Sequence, residues 1–196
     1  QENNSTPKPG ILYFPGNSET AQETRGNIEA LAKAHYVVFA VSMYPKGTTQ
    51  KTPLTAAQID ERIKESLNIL VNQPFADKKR IAAVGLREGV SYAVELVRSG
   101  LAVTAVGIDP SRISGTTCSA ANCKGLIYLI KSETPVGGTE NLRTTDPKSK
   151  DALRWNIESV GGKAGFSELG NPNLNVEILI KTEKLTKQFL ANRFAL

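Results

Sequence analysis

The chain has 196 residues, the size of one domain with room for a sizeable core. Its formal net charge is +5, and 40% of its residues are hydrophobic and 6% aromatic, a globular composition. The basic residues are scattered and nothing interleaves aromatics with arginines, which speaks against nucleic-acid binding; no apolar run approaches the roughly 20 residues that span a bilayer.

Residues 1–9, Gln1 to Pro9, are polar and read as a tail ahead of a single domain over 10–196. Such a tail is what remains after a signal peptide is removed, though an arbitrary chain start looks the same. Ile11 to Phe14 is a short apolar run ended by Pro15-Gly16, and Ala21 to Lys33 carries Ile28, Leu31 and Ala32 at helical spacing. Tyr36 to Val41 is β-branched and aromatic, as in a strand buried on both faces. Thr55 can cap a helix to about Asn72, with Ile59, Ile63, Leu67 and Leu70 on one stripe. The run Lys78-Lys79-Arg80 reads as a solvated loop before a strand at Ile81 to Val84, which ends at Gly85. A helix from Gly89 to Ser99 stops at Gly100, and strands follow at Val103 to Ile108 and Gly125 to Ile130. Asp151 to Ser159, holding Trp155, reads as a helix. After a Gly/Asn/Pro-rich loop, Val176 to Ile180 reads as the last strand and Thr182 to Arg193 as the last helix.

Six apolar strands separated by helices predict an α/β three-layer sandwich, a mostly parallel six-stranded sheet with helices on both faces. Ligands bind such sheets at the carboxyl ends of the strands.

Cys118 and Cys123 stand in a polar segment with C-x4-C spacing, without a second pair or a nearby His, so a zinc site lacks ligands. In an oxidising compartment they would close a small disulfide loop; in the cytosol they would be free thiols. The disulfide reading goes with export, to a bacterial periplasm or to the outside. No carboxylate cluster has metal-ligand spacing, and no phosphate- or dinucleotide-binding motif is present, so no cofactor is expected.

Several segments resemble the α/β-hydrolase fold superfamily, in particular its dienelactone-hydrolase-like and lipase-like members. Ile11 to Asn17, including Gly16, resembles the strand and oxyanion loop, and Tyr36 to Gly47 the next strand and its loop. Lys79 to Gly89 resembles the strand leading into the nucleophile elbow, and Ala105 to Pro110 the strand after it. The resemblance lies in order and spacing over about residues 10 to 193, and implies a minimal version of the fold. It also implies a Ser-His-acid triad, and here the chain departs from the pattern. The elbow, usually G-x-S-x-G, reads Gly85-Leu86-Arg87-Glu88-Gly89, with a guanidinium where the nucleophile belongs. The region after the last expected strand, Lys181 to Lys184, holds no His, and the one histidine, His35, lies at the amino end of the sheet. Asp109 and Glu133 stand where acids of the family occur, and pairing of one of them, or of Glu88, with Arg87 is the expected use. A Ser-Lys pair would have to join Ser132 to Lys131 or Lys184, and the first pairing fails because neighbours on a strand point to opposite faces.

These departures favour a non-catalytic, exported binding or scaffolding module, with a pocket for a small anion around Gly16, Asn17, Arg87, Asp109 and Glu133, or with a protein partner. The alternative is an esterase-like hydrolase with an unconventional or partner-completed active site.

Overall fold

A computed structural model describes residues 6–17, 21–41, 43, 54–113, 125–133, 154–168 and 170–196. In chain order the elements are β1 (Lys8–Phe14), α1 (Ala21–Lys33), β2 (Val37–Ala40), α2 (Ala56–Val71), β3 (Ala76–Leu86), α3 (Gly89–Arg98), β4 (Thr104–Ile108), β5 (Leu126–Lys131), β6 (Arg154–Ser159) and α4 (Val176–Phe194). The strands form one sheet in the order β2-β1-β3-β4-β5-β6, with every neighbouring pair parallel. This is the α/β sandwich expected from the alternation of apolar runs and helical stripes.

Local signals explain most element ends. The Thr55 hydroxyl accepts the Gln58 N–H at 3.3 Å, and the Gln58 side chain accepts the Thr55 N–H at 2.9 Å, a reciprocal capping box at the start of α2. β1 begins at Lys8, two residues inside the segment expected as tail. β3 is longer than expected because Lys78-Lys79-Arg80 belongs to it rather than to a loop. The register against β1 shifts there, and Arg80 bonds the Asp77 carboxylate at 2.7 Å and the Pro7 carbonyl at 2.6 Å.

Two expectations are corrected. Residues 154–159 form the sixth strand, not a helix. Trp155 is buried and Asn156 exposed, the alternation of an edge strand, and β6 pairs with β5 from Leu126↔Arg154 to Lys131↔Ser159. Val176 to Ile180 is the first turn and a half of α4, not a strand. The Asn175 side chain accepts the Ile178 N–H at 3.1 Å as N-cap, and Ile178, Thr182, Thr186, Leu190 and Phe194 form its buried stripe at a spacing of four.

Side chains alternate across the strands and build two cores. Leu12, Phe14, Ala83, Ala105 and Leu129 face α2 and α3, packing with Ile63, Leu70, Val90 and Val94. Ile11, Tyr13, Ala82, Val84 and Val106 face α1 and α4, packing with Leu31, Ile178, Leu190 and Phe194. Tyr36, at the mouth of β2, is 5% exposed and lies against Phe194 with ring centroids 6.3 Å apart.

Burial pushes the Tyr36 phenol up to about 12 from its ordinary 10.0. Well below pH 10 the phenol is neutral in both states, so it adds no pH dependence there. As pH rises from 10.0 towards 12 the unfolded chain gives up this proton before the folded one, so stability falls through that window. Tyr36→Phe should flatten part of the alkaline fall measured by urea denaturation at stepped pH. An unchanged alkaline profile in that variant would contradict the assignment.

Candidate active site

The chain leaves β1 towards β2 on one side and later adds β3 on the other. The switch point therefore falls between the carboxyl ends of β1 and β3, where open α/β sheets hold ligands. Gly16-Asn17 follow β1 there, and Arg87-Glu88 follow β3. The turn from β3 into α3 is a true elbow. Arg87 sits at φ 52, a left-handed conformation that a residue with a side chain adopts only under constraint. A Cβ on Gly85 would lie 2.4 Å from the Gly89 carbonyl oxygen, and one on Gly89 would lie 2.1 Å from the Phe14 carbonyl oxygen. Both glycines are therefore required by contact.

The Arg87 side chain does not reach solvent. It is 4% exposed and lies flat over Gly16, whose added Cβ would stand 2.6 Å from Nε. Its Nη1 donates to the Ser167 carbonyl at 2.8 Å and lies 3.4 Å from Ser167 Oγ. Its Nε and Nη2 are buried with no hydrogen-bond partner among the described residues. Asp109, at the end of β4, is 2% exposed and also left-handed, with φ 49. Its Oδ1 accepts the Gly165 N–H at 3.2 Å, and its Oδ2 accepts the Ser167 N–H at 3.0 Å and the Ser167 hydroxyl at 2.7 Å. Ser167 thus ties a buried carboxylate to a buried guanidinium.

The expected ion pair is corrected by this geometry. No described carboxylate lies within salt-bridge distance of Arg87; ion pairs among the described residues include Arg25–Glu29, Arg80–Asp77, Arg98–Glu95 and Lys187–Glu183. Glu88 Oε2 accepts the Asn17 N–H at 3.0 Å, closing the elbow onto the loop after β1. Glu133 is exposed after β5, with its N–H on the Gly162 carbonyl at 3.3 Å. Of the expected pocket, Gly16, Asn17, Arg87 and Asp109 are linked around the switch point, and Glu133 stands apart beside Gly161. His35 is exposed behind α1 at φ 67, at the amino end of β2, remote from the site. Cys118 and Cys123 lie outside the described residues.

With the last strand now at 154–159, the segment after it is 160–175, which also lacks histidine, and Lys181 to Lys184 lies inside α4. Sequence reasoning missed Ser167, which this segment delivers to the site. Its signal was the glycine content of the loop: Gly161, Gly162, Gly165 and Gly170 all take positive φ, between 73 and 87.

No protein-family model and no curated protein matches the sequence. Known structures do. A dienelactone hydrolase-like promiscuous phosphotriesterase from metagenomic libraries superposes with a TM-score of 0.77 at 18% identity, over 97% of this chain and 89% of the other. Thermogutta terrifontis esterase 2, phosphonylated by sarin, gives 0.67 at 14% identity, over 96% and 85%. The α/β hydrolase MGS-M1 from a Medee basin deep-sea metagenome library gives 0.67 at 17% identity, over 100% and 88%. The chain has the α/β-hydrolase fold. These neighbours are a phosphotriesterase, an esterase and an α/β hydrolase, which overturns the expectation of a non-catalytic binding module.

Proposed function

We propose that this protein is an esterase-like hydrolase with an unconventional site centred on Ser167, Asp109 and Arg87. The observation that carries the reading is the 2.7 Å bond from the Ser167 hydroxyl to the Asp109 carboxylate, with the Arg87 guanidinium 3.4 Å from the same oxygen. A nucleophile, a base within hydrogen-bond reach and a fixed positive charge are what acyl transfer needs. Two backbone N–H groups of the Gly165–Ser167 turn fix the carboxylate, so it needs no histidine to be aimed.

The reaction follows from these contacts. As Ser167 Oγ bonds to the ester carbonyl carbon, its proton passes to Asp109 Oδ2 and the carbonyl π pair moves onto oxygen. Collapse of the tetrahedral species breaks the bond to the leaving alkoxide, which takes the proton from Asp109. Water then attacks the acyl-Ser167 ester with Asp109 again as base, releasing the acid. The loop N–H that usually helps hold the oxyanion, that of Asn17, is engaged by Glu88, so Arg87 supplies the stabilising charge. A disulfide between Cys118 and Cys123, and with it an oxidising compartment, belongs to the same proposal on the strength of their spacing.

The reading is tested with a fluorophosphonate probe and p-nitrophenyl butyrate; the choice of probe follows the neighbour phosphonylated by sarin. Peptide mass spectrometry should place the phosphonyl group on Ser167. Ser167→Ala should lose labelling altogether and turnover by at least about 1,000-fold, since removing a serine nucleophile costs up to about a millionfold in kcat. Labelling at another residue, or full turnover by Ser167→Ala, would overturn the assignment, and so would an absence of both labelling and turnover in the wild type.

A further inference from the structure

A cavity of about 200 Å³ lies between α1 and α4 on the sheet face opposite α2 and α3, and Ser167 forms part of its wall. Its floor is apolar, with Tyr13, Val84, Leu86 and Ile108 from the sheet. Two hydroxyls in the wall break this pattern. Thr182 and Thr186, on α4, are 3% and 4% exposed, and neither Oγ1 has a hydrogen-bond partner among the described residues. Buried hydroxyls normally find a partner, and a helical threonine can use the carbonyl one turn back, so two orphans side by side call for an explanation.

Their spacing supplies one. Residues four apart on a helix stand about 5–6 Å apart at Cβ, and a hydroxyl donates over about 2.7–2.8 Å. One acceptor oxygen placed between the two hydroxyls can meet both. The charges at the rim are already engaged: Glu183 is paired with Lys187, and Glu23 also has a partner. The neutral Asn27 is engaged as well, its Nδ2 donating to the Tyr13 hydroxyl at 2.8 Å. The vacant partners in the wall are therefore neutral hydrogen-bonding groups. The size fits one ring or a short chain, since an apolar cavity of about 150 Å³ holds benzene.

Gly26 of α1 is the second part of the argument. It lines the same cavity, is exposed at its mouth, and an added Cβ would meet nothing within 4 Å. Its φ is not positive, so no turn requires glycine there. A mid-helix glycine without a conformational reason weakens the helix, and here what it provides is an open entrance.

We infer that this cavity binds a neutral, mainly apolar molecule of one ring or a short chain, with one acceptor oxygen held between Thr182 and Thr186. Resting on the hydrolase reading, it is the acyl-side subsite of the ester attacked by Ser167.

Calorimetric titration of the full chain with acetophenone and with ethylbenzene, which has the shape without the oxygen, tests the site apart from catalysis. Wild type should bind acetophenone about tenfold more tightly than ethylbenzene, as one or two net hydrogen bonds allow. The isosteric double variant Thr182→Val/Thr186→Val should bind the two equally. Gly26→Phe, which closes the mouth at an exposed helical position, should bind neither while keeping the wild-type circular dichroism. Equal wild-type affinities, no binding of either probe, or unchanged binding in Gly26→Phe would overturn the inference. Binding as expected with Ser167 unlabelled leaves the cavity site standing and removes the hydrolase reading; ester turnover without probe binding does the reverse.

Discussion

Gly89→Ala should leave the protein unable to fold, or destabilise it by more than about 4 kcal/mol, beyond the usual range for a single substitution. The added methyl carbon would stand 2.1 Å from the Phe14 carbonyl oxygen, 2.8 Å from its carbon and 3.0 Å from the Pro15 oxygen, all backbone atoms. Neither partner can yield cheaply. Phe14 is the last residue of β1 and pairs with Gly85, so moving it breaks the β1–β3 register at the switch point. Moving α3 away instead would lift Val90 and Val94, both at most 1% exposed, out of the core. Gly26→Ala is the matching control: its Cβ meets nothing within 4 Å, and it should stabilise α1 by about 0.5–1 kcal/mol. Thermal melts of the two variants should thus shift in opposite directions, with about 2–4 °C per kcal/mol for a chain of this length. A Gly89→Ala protein melting within a few degrees of wild type would show that the elbow is looser than described.

The same close approach explains why the first two thirds of the fold were legible in the sequence. Gly85-Leu86-Arg87-Glu88-Gly89 keeps two glycines at the spacing an elbow requires, after an apolar strand and before a helical stripe, and local pattern and tertiary need coincide there. At Thr55 and Gln58 the cap is written in two residues. The carboxyl-terminal third went wrong because its local patterns point away from its tertiary roles. Val176 and Ile180 are apolar and β-branched but 63% and 65% exposed, so they imitate a strand while the buried stripe of α4 runs partly through threonines. β6 is a short edge strand, and Arg154, Asn156, Glu158 and Ser159 dilute the apolar signal of Trp155 and Ile157.

That exchange of helix and strand also hid the site. A last strand at 176–180 makes 160–175 a loop before a strand instead of one after it, although that loop carries the serine that meets both Asp109 and Arg87. Arg87 and Asp109 themselves were legible from their places after β3 and β4. Their relation was not, because Ser167 lies 58 residues from Asp109 and 80 from Arg87 in sequence. An ion pair is the simplest use of two buried opposite charges; a hydroxyl and two N–H groups inserted between them is a use that only the folded loop reveals.

Asp109→Ala should therefore cost about 3–5 kcal/mol, because it strips the compensation from a charge that stays buried. The carboxylate accepts three bonds, from Gly165 N, Ser167 N and Ser167 Oγ, and each donor loses its acceptor at a largely buried position. Arg87 then keeps its fixed charge at 4% exposure with Ser167 as its hydrogen-bonding partner among the described residues. Backbone strain at φ 49 offers a competing explanation, since alanine tolerates that conformation less well than aspartate. Asp109→Gly separates the two: it relieves the strain and still loses the three bonds, so it should fall close to Asp109→Ala rather than above wild type. Asp109→Asn keeps the shape but turns one acceptor into a donor facing donors, and should lose about 1–3 kcal/mol. Pairing Asp109→Asn with Arg87→Met removes both charges, and the double variant should be more stable than the sum of the single losses by about 0.5–3 kcal/mol. Urea denaturation of the wild type and the five variants measures all of this. An Asp109→Ala loss below about 1 kcal/mol, on the scale of an exposed carboxylate, would show that the two charges are solvated and that Ser167 is not held between them.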